Sequence, residues 1–102
     1  MWIAVAFDLS VITVEERKNY RSMRKKLLAS GFSPIQKSFL WRWVENAEMA
    51  DALIKRLQKF IPPQGNIIIL RIPDTSFKQG KQIINGKNIA LPEPPVPWLI
   101  LI

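Results

Sequence analysis

Trp2-Ile3-Ala4-Val5-Ala6-Phe7 is an unbroken apolar run that ends in one carboxylate, Asp8. A segment apolar at every position reads as a buried strand in a central place. Leu9-Ser10 and a helix start follow it. Thr13 is the expected N-cap, and Glu16 three residues on completes a capping box. Glu15 and Glu16 suit the positive end of the helix, which should run to about Ala29 and stop at Gly31. Tyr20, Met23 and Leu27 share one face and should pack on the sheet, while Arg17, Lys18, Arg21 and Lys25 cluster on another.

Phe32 to Val44 reads as a second β region, interrupted at Gln36-Lys37-Ser38, with Pro34 marking an edge or irregular strand. Of the two tryptophans in Trp41-Arg42-Trp43, one is expected inside and one outside. Asn46 should cap a second helix over about 47–60. Asn66 to Ile72 is an aliphatic strand ending at Pro73-Asp74, where the aspartate reads as a turn residue. Thr75–Gly80 reads as a connection, and Ile83-Ile84 with Asn85-Gly86 as a short strand and turn. The order of elements is that of an α+β, ferredoxin-like split βαβ domain over residues 1–86. Residues 87–102 read as a proline-rich linker and an apolar C-terminal strand, Trp98-Leu99-Ile100-Leu101-Ile102, that closes its own sheet edge or pairs with a partner chain.

The 102 residues suit one domain with a modest core. The chain has no cysteine and no histidine, which removes disulfides, thiolate zinc sites and histidine-based triads. Its four glycines have no phosphate-loop spacing. The first residues lack the basic start of a signal peptide, and no apolar run approaches the roughly 20 residues of a membrane span. A cytoplasmic protein without a membrane partner is expected. Fifteen Lys and Arg against eight Asp and Glu give a net charge of +7, which suits a polyanion, nucleic acid before an anionic membrane surface.

Chemistry falls to the carboxylates, and Asp8 stands at a strand end. Magnesium takes oxygen ligands, often one or two carboxylates with waters and substrate phosphates. A two-fold dimer would bring two copies of Asp8 to one ion, which could activate a water for phosphodiester displacement. A turn or helix-cap role for Asp8 is the competing reading. Ser10 and Ser38 are candidate donors to phosphate, and the first-helix stripe of Arg17, Lys18, Arg21 and Lys25 is the candidate phosphate-contacting surface.

Six segments stand in a fixed order: Phe7-Asp8-Leu9, Glu15-Glu16-Arg17-Lys18-Asn19-Tyr20-Arg21, Leu28-Ala29-Ser30-Gly31-Phe32, Gln36-Lys37-Ser38-Phe39, Pro62-Pro63-Gln64-Gly65-Asn66 and Leu70-Arg71-Ile72-Pro73-Asp74. Together they resemble the small CRISPR-associated proteins of spacer acquisition, the Cas-two family. The chain departs from the pattern at Ser10, where proline is common, and at Pro73–Phe77, which lacks the family's glutamine. The resemblance implies a ferredoxin-like homodimer that binds duplex DNA and bridges integrase dimers. It implies a magnesium-dependent endonuclease site with Asp8 as ligand at the dimer interface, and docking of the integrase subunit by Trp98, Leu99, Ile100 and Leu101. A toxin-like metal-dependent endoribonuclease on the same fold is the alternative. A non-catalytic ferredoxin-like nucleic-acid-binding module is another, although no RRM-type aromatic signature is present.

Overall fold

The computed structural model describes residues 1–95. The chain runs β1 (Trp2–Asp8), α1 (Val14–Ala29), β2 (Ser33–Gln36), β3 (Phe39–Trp43), α2 (Ala47–Gln58), β4 (Asn66–Ile72), α3 (Asp74–Phe77), β5 (Gln82–Ile84) and β6 (Lys87–Ile89). The first four strands form one antiparallel sheet in the order β2-β3-β1-β4. β1 and β2 therefore run the same way with β3 between them, which is the split βαβ arrangement expected from the order of elements. β5 and β6 form a separate hairpin around the Asn85-Gly86 turn, so residues 87–89, expected within the linker, form a strand.

The unbroken apolar character of β1 follows from burial on two faces. Ile3, Val5 and Phe7 point to the helices and join Met23, Leu27, Leu53 and Leu57 in the main core. Each such side chain contributes about 1.5–3 kcal/mol by leaving water. Trp2 and Ala4 point the other way and join Trp41 and Phe77. Phe77 stacks on Trp2 at 4.3 Å and 11°, and meets Trp41 edge-on at 4.9 Å. The segment expected as a plain connection thus contains a one-turn helix, α3, whose Phe77 covers part of the second face. Asp74 opens that helix, and its carboxylate accepts from the Trp43 indole N–H at 3.0 Å and pairs with the Met1 ammonium at 2.8 Å.

Trp41 and Trp43 do not divide between inside and outside. Residues two apart in a strand share a face, and both indoles pack in the second cluster, Trp41 buried and Trp43 half-buried. Arg42 takes the other face, where its Nη1 donates to the Ser30 carbonyl at 2.7 Å and satisfies the C-terminal end of α1.

Local signals set the helix ends. Thr13 Oγ1 accepts from the Glu16 N–H at 3.0 Å, and Glu16 Oε1 accepts from the Thr13 N–H at 2.9 Å, so the capping box is formed. Asn46 caps α2 through Met49 N–H at 2.9 Å, and the helix ends two residues short of the expected 60. The register of β2 against β3 shifts between Pro34 and Gln36, in keeping with the irregularity expected at Pro34. Along β1 and β4, Ala4 faces Leu70 and Ala6 faces Ile68. Ile68 and Leu70 are 49% and 47% exposed, an apolar ladder on the sheet face that α1 and α2 leave open.

Candidate active site and basic face

Asp8 ends β1 and is exposed. Two neighbours fix where it stands. On one side, the Phe7 N–H donates to the Ser38 carbonyl at 3.0 Å and ties the β2–β3 turn to the strand end. On the other, Asp8 lies opposite Asn66 at the start of β4. The turn before Asn66 passes so close that a methyl on Gly65 would lie 3.2 Å from the Asp8 carbonyl oxygen. Asp8, Ser38, Asn66 and Gln36 line a groove of about 310 Å³, floored by Ala6 and Ile68.

Every polar side chain in this groove offers an oxygen, which suits a hard cation such as magnesium. One carboxylate, Asp8, lines the groove, and the described residues contain no cluster of three or more metal-ligating His, Cys, Asp or Glu. That donor set fits an ion shared between two copies, with waters and substrate oxygens filling its shell.

Ser38 lies in the groove with Asp8, and its hydroxyl is also engaged with the Tyr20 hydroxyl at 3.1 Å. Ser10 lies elsewhere, in a separate concavity with Glu15, Glu16, Asn19 and the 62–65 turn. It works with the helix cap: hydrogen bonds from the Thr13 N–H and then the Ser10 hydroxyl hold the Glu16 carboxyl below its ordinary range.

The expected basic stripe divides. Arg17 and Arg21 are about 40° apart around the helix, and Lys25 and Lys18 follow about 40° and 60° beyond Arg21. Arg17 and Arg21 line a concavity with Ser38, and Lys18 and Lys25 line neither that concavity nor the Asp8 groove. Arg17 also braces the β1–α1 loop, its Nη1 donating to the carbonyls of Ile12 at 2.8 Å and Val11 at 3.3 Å. Asn66 and Gln36 were not singled out from the sequence. Gln36 stood in the Gln36-Lys37-Ser38 interruption, but only the pairing of β1 with β4 brings Asn66 beside Asp8. The docking residues Trp98, Leu99, Ile100 and Leu101 lie outside the described residues. No helix among the described residues is long and apolar enough to cross a membrane.

Residues 1–79 match the family model described as CRISPR associated protein Cas2. The chain is 38% identical over 88 residues to a CRISPR-associated endoribonuclease Cas2 of Treponema denticola, covering 86% of each chain. It is 35% identical over 94 residues to the protein of the same description from Flavobacterium psychrophilum, covering 92% of this chain and 82% of the relative. Its fold is similar to the crystal structure of Streptococcus pyogenes Cas2 at pH 6.5, with a TM-score of 0.60 and 22% identity over 81% of this chain and 99% of that one.

Proposed function

The chain belongs to the CRISPR-associated Cas2 family, and from that premise we propose a homodimer that holds duplex DNA for an integrase during spacer acquisition and carries a magnesium-dependent endonuclease site at Asp8. The observation that carries the reading is the position of Asp8 at the rim of an open apolar sheet face. Two copies stacked on Ala6, Ile68 and Leu70 about a two-fold axis would cover apolar surface now in water and bring their Asp8 carboxylates to one ion.

Magnesium, when bound there, would supply an activated water and stabilise charge on the phosphodiester. Asp8 would hold the ion, and Ser38, Asn66 and Gln36 would orient the phosphodiester through hydrogen bonds. Arg17, Lys18, Arg21 and Lys25 would neutralise backbone phosphates, which gives an affinity that falls steeply with salt. The apolar end of the chain would dock the integrase, and the protein would act in the cytoplasm. The relatives' description as endoribonucleases favours a second reading, in which the same site cuts RNA.

Wild type and Asp8→Ala are compared for magnesium-dependent cleavage of RNA and DNA of equal length, and for integration with the partner integrase. The expected result is loss of cleavage with integration retained, and the substrate cut by wild type decides between the two readings. Cleavage by Asp8→Ala at the wild-type rate would refute the metal site.

A further inference from the structure

The β2–β3 turn brings Lys37, which lies outside the α1 stripe, to the side of α1 that carries Arg17 and Arg21. The three cations, with Leu9, Tyr20 and Ser38, line a concavity of about 350 Å³ that has no carboxylate in its wall. They converge because the turn is clamped. The Tyr20 hydroxyl donates to the Lys37 carbonyl at 2.8 Å, and Arg24 Nε donates to the same oxygen at 3.4 Å. The Tyr20 ring in turn packs against Phe7, next to Asp8, at 5.4 Å. No ion pair among the described residues neutralises Arg21 or Lys37. Like charges gathered round one concavity attract an anion. Ser38 lines this concavity and the Asp8 groove alike, so the two share a wall.

We infer that Arg21 and Lys37, positioned by Tyr20, form a subsite for the backbone phosphate next along the strand from the one at Asp8. The inference rests on the proposed placement of a nucleic-acid phosphodiester at Asp8, and it gives that site a direction: the strand crosses Ser38 towards α1. Lys37 and Arg21 act on the strand that is positioned for cleavage. Lys18 and Lys25, further round the helix, meet nucleic acid only through general charge.

Tyr20 is the chain's single tyrosine. Labelling with 3-fluorotyrosine therefore gives one fluorine resonance, at the subsite. The labelled Asp8→Ala protein is titrated with a 5′-phosphorylated dinucleotide, the unphosphorylated dinucleotide and inorganic phosphate. The phosphorylated dinucleotide should shift the resonance saturably and at lower concentration than either other ligand. Adding Lys37→Ala or Arg21→Ala should weaken half-saturation about tenfold, the size of one charge-assisted hydrogen bond. Lys37→Arg should restore most of the loss, and Lys55→Ala, on the exposed side of α2, should change nothing.

No phosphate-dependent shift overturns the inference. Equal response to inorganic phosphate, or equal weakening by Lys55→Ala, also overturns it, because charge without a strand path would then account for binding. Cleavage retained by Asp8→Ala, together with the expected titrations, overturns the metal site and leaves the phosphate subsite standing.

Discussion

Alanine at Gly65 should cost more than alanine at Gly86, and the difference measures how tightly the candidate site is built. The two glycines have φ of +102° and +79°, both on the left-handed side, where an L side chain costs about 1–2 kcal/mol. Their surroundings differ. A methyl at Gly86 has nothing within 4 Å, whereas one at Gly65 overlaps Leu9 Cδ2 and lies 3.2 Å from the Asp8 carbonyl oxygen. Leu9 must leave its rotamer, at about 0.5–1.5 kcal/mol. Backbone that yields instead stores about 1–3 kcal/mol. Gly65→Ala should therefore lose roughly 2–4 kcal/mol and Gly86→Ala roughly 1–2 kcal/mol. The larger loss is a substantial part of the roughly 5–15 kcal/mol that holds a domain together. Urea unfolding followed by tryptophan fluorescence gives both values, provided the m-value is unchanged. Gly65→Ala should also reduce cleavage in proportion to folded protein and beyond it, because the methyl presses on the backbone of Asp8. Equal losses of stability from the two substitutions would refute the close approach of the 62–65 turn to the end of β1.

Phe77→Ala removes the ring that stacks on Trp2 and should cost about 3–5 kcal/mol, with a red shift in tryptophan emission. A loss below about 1 kcal/mol would mean that α3 does not cover the second sheet face. The Glu16 carboxyl, ordinarily near 4.5, is held lower in the folded chain by the Thr13 N–H. Its stabilising contribution is complete above the unfolded value and is lost as pH falls through the folded value. Glu16→Gln should therefore flatten the stability profile between pH 5 and lower values, as read by thermal melts. A profile unchanged by the substitution would remove the capping box from the acid response.

The elements of the sheet and both long helices were legible in the sequence because each carries a local signal. Thr13 with Glu16, Asn46, and the aliphatic run from Asn66 act within a few residues of themselves. The one-turn helix at Asp74–Phe77 was not legible, since its stability lies in Phe77 packing on Trp2 and Trp41, far away in sequence. The expected division of Trp41 and Trp43 between inside and outside fails for a simpler reason: a period of two puts both on the same face. Asp8 was visible as a carboxylate closing a buried strand. Its neighbour Asn66 was not, because a register between strands so distant in the chain leaves no local trace. The α1 cations read as one stripe in sequence, yet the β2–β3 turn enlists Arg17 and Arg21 and leaves Lys18 and Lys25 outside.

The pairing of Asp8 with Asn66 also orders events in time. A chain made from its amino end, at about 5–20 residues per second, exposes Asp8 seconds before β4 exists. Until β4 has joined β1, the carboxylate has neither Asn66 beside it nor the Gly65 turn against its backbone. Long-range strand pairing is the slow part of folding such a sheet. Unfinished chains therefore carry the acidic group without its groove, which arrives only with completion of the sheet.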